Sequence, residues 1–164
     1  MANNSNKIKW NEVKLYPSSS HVLEGSDNIK RYCMGGNAIV TLTSPTRVHH
    51  SYYIRAPWKE DKEDFANDIR FVYHREKSGR WVYVGEICNN GTKFKKTKSS
   101  RYWKHDKVFK GAVYIVKMMN HDFNTPMILQ HEGCCSRCGR QLTDPISIER
   151  GLGPKCYGII KNGV

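Results

Sequence analysis

Ile69-Arg-Phe-Val-Tyr-His-Arg75 and Arg80-Trp-Val-Tyr-Val-Gly-Glu-Ile-Cys88 decide the fold, because a Ser78-Gly79 turn signal separates them. The first stretch alternates, with Ile69, Phe71 and Tyr73 on one face and Arg70, Val72 and His74 on the other. Period-two alternation in β-branched and aromatic residues is the pattern of a half-buried strand, and a glycine turn between two such runs makes a hairpin. Working backward, Val48 to Arg55 alternates in the same way, and Asn37-Ala-Ile-Val-Thr-Leu-Thr43 follows Gly35-Gly36 and precedes a Ser44-Pro45 turn. Working forward, Asn90-Gly91 is a second turn before Thr92 to Lys96. The reading is a five-stranded antiparallel meander, interrupted by an acidic insertion from Glu60 to Asp68.

Asp106 then stands where a helix would be capped, and Val108, Ala112, Ile115, Val116 and Met119 recur at spacings of three and four. That stripe should pack on one face of the sheet, and Asn124-Thr-Pro126 should end the segment. Met127-Ile-Leu129 reads as a short strand leading onward. Residues 1–34 are rich in Asn, Ser, Lys and Gly and hold neither period, so a loose arm is expected there. The expected class is α+β: an arm over 1–34, a five-stranded antiparallel sheet with one packed helix over 35–125, and a small zinc-knuckle module over 126–164.

Four of the six cysteines lie between residues 134 and 156. The polar Met1 to Trp10 segment is no secretion signal, and no later run approaches the roughly 18 apolar residues of a membrane span. A soluble cytoplasmic protein is expected, and in a reducing compartment clustered cysteines point to metal before disulfides. Cys135 and Cys138 have the C-x-x-C spacing that brings two thiolates to one ion, and Gly139 lets the backbone turn behind them. Asp144 as N-cap, Pro145 at the first helical position and Gly151 as left-handed cap predict a short helix that returns the chain. The Gly153-Pro154 turn then delivers Cys156 as third ligand. His131 is the expected fourth, with Cys134 as alternative; the latter would have to share backbone geometry with Cys135. Four such ligands imply one structural Zn2+ rather than a catalytic ion with an open position.

The run His131-Glu-Gly-Cys-Cys-Ser-Arg-Cys-Gly-Arg140, continued by Leu142, Thr143, Pro145, Ser147, Ile148, Gly151, Gly153, Pro154 and Cys156, resembles the C-terminal module of an uncharacterised family of bacteriophage and bacterial proteins. Upstream, Gly36-Asn-Ala38, Tyr53 with Arg55, and Tyr83 with Gly85 and Ile87 are similar to that family's strand region. The resemblance implies no activity. Similar modules look to be appended to DNA-handling proteins, which inclines the expectation toward nucleic acid. A phage origin would place the protein in a bacterial host's cytoplasm.

Charge points the same way. The 164-residue chain carries a formal net charge of +12, which favours polyanionic partners. Lys93, Lys95, Lys96, Lys98, Arg101, Lys104, Lys107 and Lys110 face a single acid, Asp106, and so supply net +7. Phe94, Tyr102 and Trp103 are interleaved among them, a mixture in which cations meet phosphates and rings stack on bases. Arg137 and Arg140 add charge beside the expected metal ligands, with Arg150 and Lys155. If both clusters share a face they form a groove for DNA or RNA. Edge-strand lysines that merely discourage sheet pairing are the plainer explanation. A different class is a phage protein that grips and modulates a host protein. An enzyme is not expected: a metal-dependent nuclease would have to use Asp68, Glu76 and Glu86 with His74 or Lys77, whose spacing is unremarkable. His49, His50 and His74 are read as surface residues.

Overall fold

A computed structural model describes residues 21–57 and 69–161. Six strands form one antiparallel sheet: β1 Asn37–Thr43, β2 His49–Arg55, β3 Arg70–Arg75, β4 Trp81–Cys88, β5 Lys93–Lys95 and β6 Ile128–His131, in the order β5-β4-β3-β2-β1-β6. The first five are the expected meander. The sixth corrects the count: Met127 to Leu129 does not merely lead into the module but contributes to a strand on the far side of β1, with Leu129 opposite Leu42 and His131 opposite Val40.

Alternation decides which face is buried. Ala38, Val40, Leu42, Tyr52, Ile54 and Val72 all lie in the core, and the register sets Val40 opposite Tyr52 and Ile54 opposite Val72. On the other face Tyr53, Tyr73, Tyr83 and Phe71 form a ring ladder with centroids 5.5–6.3 Å apart. The β3–β4 register shifts at Val72/Tyr73, so that Val72 opposes Gly85 while Tyr73 opposes Tyr83, and the intervening Val84 is fully buried. Such a bulge sharpens the local twist. Gly85 completes it, since a Cβ there would come 2.6 Å from the Lys95 carbonyl and 2.8 Å from the Phe94 ring.

Among the described residues four helices accompany the sheet: α1 Ser26–Cys33, α2 Lys107–Asn120, α3 Pro145–Arg150 and α4 Pro154–Lys161. The expected stripe of α2 is buried through Ala112, Ile115, Val116 and Met119, joined by Phe109 and Met118. It stops at Asn120, before the Asn124–Pro126 breaker. Tyr52 fastens α2 to the sheet by donating its hydroxyl to the Val108 carbonyl at 2.7 Å. The described part of the expected arm is not loose: α1 buries Ile29, Tyr32 and Cys33 against the core, and Leu23 with them. Its eight residues are too few to display a clear helical period, and Gly25 and Met34-Gly-Gly36 frame them closely. Residues 1–20 and the expected acidic insertion, Asp68 included, lie outside the described residues. No described helix is long and apolar enough to cross a membrane.

Candidate metal centre

Beyond β6 the chain folds into a small layer with its own core of Cys135, Leu142, Leu152 and Cys156, against which Ile148 and Tyr157 pack. Cys135 and Arg140 bracket a tight turn: Gly139 N–H donates to the Cys135 carbonyl at 2.8 Å, and Gly139 takes φ 76°, where a side chain would be strained. The α3 caps are as expected. Asp144 accepts from the Ser147 N–H at 3.0 Å, Pro145 occupies the first turn and Gly151 ends the helix with φ 68°. The Gly153-Pro154 segment differs from a plain turn: Pro154 opens α4, so Cys156 sits in the first turn of a helix.

These pieces bring Cys135, Cys138 and Cys156 together, with their sulfurs all within 4.8 Å of one another. Among the described residues this is the one grouping of three or more histidine, cysteine or acidic side chains that could hold a metal ion. The electrostatics differ between the sulfurs: burial raises the Cys156 thiol, whereas Cys135 is held low. Burial alone would raise the Cys135 thiol, yet backbone N–H groups of Cys138, Gly153 and Arg137 aimed at its sulfur hold it below the ordinary value. Such donors stabilise a thiolate, the form that ligates metal. Cys33 shows the opposite case: enclosed in the main core, its thiol is pushed up to about 12 by burial. Arg137 Nη1 lies 3.8 Å from Cys156 Sγ, a further cation turned on the sulfurs.

His131 is not with them, which corrects the expected fourth ligand. It is 1% exposed, and its ring stacks between His21 and Tyr32 with centroids 4.9 and 5.2 Å away. Gly133 N–H, which can only donate, points at Nδ1 from 2.9 Å, so Nε2 carries the proton and donates to the Ile148 carbonyl at 2.6 Å. Burial pulls its pKa down to about 4 and keeps the ring neutral. The histidine clamps β6 to the end of α3. Its position in the sequence, four residues before Cys135, is compatible with ligation, but its position in β6 aims it inward. Cys134 is outside the sulfur grouping too; it bridges to Gln141, and its carbonyl accepts the Tyr32 hydroxyl at 3.2 Å.

The module is seated on the sheet and α1. Asn37 N–H donates to the Ser136 carbonyl at 2.6 Å, and a Cβ at Gly151 would overlap the Tyr32 ring.

The two basic clusters belong to opposite ends of the strand order. Lys93, Lys95, Lys96, Lys98, Arg101 and Lys104 run along and beyond β5, one edge of the sheet, while Arg137 and Arg140 sit on the module beyond β6, the other edge. Arg150 is stacked over Tyr157 at 4.1 Å. At the β5 edge Trp103 is 68% exposed, with the Lys96 ammonium 5.4 Å from its ring centroid. Asp106 Oδ2 accepts the Trp103 N–H at 2.8 Å and fixes that backbone. Phe94 instead packs on Phe109 with ring centroids 5.0 Å apart, and Tyr102 is half-buried with its hydroxyl 2.9 Å from His74 Nδ1.

His74 and His50 are a second correction. They are not free surface groups: His50 Nδ1 and His74 Nε2 are 3.2 Å apart on the inner face, near the start of α2. Only the β2–β3 register, Tyr52 opposite His74, reveals the pair. Of the acids considered for a nuclease, Glu76 pairs with Arg80 at 3.2 Å and Glu86 approaches Lys95 at 4.0 Å.

Residues 130–161 match a family of unknown function, DUF6011. The match spans the module, about a fifth of the chain, and stops short of most of the sheet. No curated protein and no solved structure matches the chain.

Proposed function

We propose that this chain is a small nucleic-acid-binding accessory protein in which one zinc ion, held by Cys135, Cys138 and Cys156, scaffolds the C-terminal module. Thiolates favour zinc among common intracellular divalent ions, and the ion would supply a cross-link between the knuckle turn and α4 that so small a core lacks. Backbone donors aimed at Cys135 support the metal reading.

The nucleic-acid reading is carried by the bare indole of Trp103, 68% exposed inside a segment of net charge +7. An exposed large ring is costly to leave in water, and a ring flanked by lysines suits a base with its phosphates. Lys93, Lys95, Lys96, Lys98, Arg101 and Lys104 are the phosphate-contacting groups in this reading. Tyr102 supports the segment from below, and Arg137 and Arg140, on the opposite edge, are left out of the primary footprint.

Fluorescence anisotropy with labelled single- and double-stranded DNA and RNA, on zinc-loaded protein at two salt concentrations, tests the proposal. Five or six phosphate contacts give a log-log salt slope of roughly −5 on duplex DNA. Affinity that does not change with salt, or no binding at low salt, would overturn it.

A further inference from the structure

Resting on the metal reading above, we propose that the ion held by Cys135, Cys138 and Cys156 keeps its fourth coordination position available to solvent, and that a thiolate from outside the chain enters it. The first support is the engagement of His131. Its Nδ1 lone pair is taken by the Gly133 N–H, and its Nε2 proton by the Ile148 carbonyl. Turning the ring toward the sulfurs would break both bonds and leave a buried donor and a buried acceptor unpaired, besides removing the ring from between His21 and Tyr32. The second is the direction of Cys134. It is tied to Gln141 by an isolated antiparallel bridge, and its carbonyl accepts the Tyr32 hydroxyl at 3.2 Å, so its backbone is held on the α1 side of the module. Its sulfur is outside the grouping of three, and no other histidine, cysteine or acid among the described residues joins them.

The third support is access and charge. Cys135 and Cys156 are buried but Cys138 is exposed, so the sulfur cluster opens at the surface. Three thiolates on a divalent ion leave one negative charge, which would ordinarily discourage a fourth anion. Here Arg137 lies 3.8 Å from Cys156 Sγ, and Arg140 and Lys155 are exposed on the same module. That cationic setting makes an anionic ligand acceptable, and a site already made of sulfur favours a soft donor over a carboxylate. In the exchange, an incoming thiol gives its proton to solvent and its sulfur displaces solvent at the ion. No electron is transferred and no covalent bond within the chain changes.

Cobalt(II) substitution of the reduced full-length protein reports the coordination directly. Titration with 2-mercaptoethanol should raise the thiolate-to-cobalt charge-transfer absorbance by about one third, as three sulfur ligands become four, with one cobalt per chain retained. His131→Gln and Cys134→Ser proteins should give the starting spectrum of the wild type. A peptide with one cysteine between acidic residues, titrated in parallel, identifies the source: tighter binding than 2-mercaptoethanol points to a partner protein's cysteine, and equal binding to a free thiol. A wild-type spectrum unmoved by either thiol overturns the proposal, as does loss of a ligand signature in either variant. A protein that takes up no cobalt overturns the metal reading itself, and this proposal with it.

Discussion

Cys33 and Cys135 are both fully buried cysteines, and what surrounds each sulfur separates a core thiol from one placed where it could hold a metal ion. Cys33 faces apolar side chains; Cys135 faces backbone N–H groups. Cys135→Ser should therefore abolish stoichiometric zinc, read by elemental analysis, whereas Cys33→Ala should keep one zinc per chain and lose only packing. Trp103 offers a complementary case. With so much of its ring in water, Trp103→Ala should leave the urea midpoint nearly unchanged while weakening single-strand binding by about 1–3 kcal/mol, roughly 5- to 150-fold. A fall in stability as large as the fall in affinity would mean that the ring is structural. The histidine pair gives a pH prediction. Burial, with His50 beside it and against the pull of Glu76, lowers His74 from 6.5 to about 4. The unfolded chain thus takes up the proton first, and stability present above pH 6.5 is lost as pH falls toward 4. Denaturation midpoints at pH 7 and pH 5 should show the decline, shallower in His74→Gln than in the wild type.

At the scale of the element, glycines mark the places where one piece of chain must come close to another. Gly151 is both the left-handed cap of α3 and the surface on which the Tyr32 ring of α1 rests. Gly151→Ala should cost about 1–2 kcal/mol from the backbone alone, with the overlap on Tyr32 added. The loss should appear as faster hydrogen exchange in α1 as well as α3. If α1 exchange is unaffected, the module and the helix are not coupled through this contact. Gly85 plays the equivalent part between β4 and β5, where the Lys95 carbonyl and the Phe94 ring leave no room for a Cβ.

At the scale of the molecule, two cores of unequal size are joined by few bonds. The main core lies between the sheet and helices α1 and α2; the second consists of four buried residues, two of them cysteines of the sulfur grouping that could hold a metal ion. Removing zinc with a chelator should collapse hydrogen-exchange protection over residues 133–161 while the β1–β5 meander stays protected. An equal loss across the sheet would show that the cores unfold as one. The basic surfaces are also a whole-molecule property. Strand order sends the Lys93 to Lys104 segment to one edge, while Arg137 with Arg140 lie in the module that follows the strand at the other edge.

Local chemistry was sufficient wherever a residue's neighbours in the chain set its conformation. Period-two alternation announced β2 and β3, β-branched content and turn signals announced β1, β4 and β5, the Asp144, Pro145 and Gly151 signals announced α3, and the cysteine spacing announced which three sulfurs come together. Tertiary contact decided the rest. α1 is helical because it buries Ile29 and Tyr32, β6 is a strand because β1 offers it an edge, and His131 is a clamp because that edge points it inward, beneath Ile148. Sequence spacing sets which side chains can reach an ion; only the path of the backbone, fixed by packing far along the chain, sets which way each one faces.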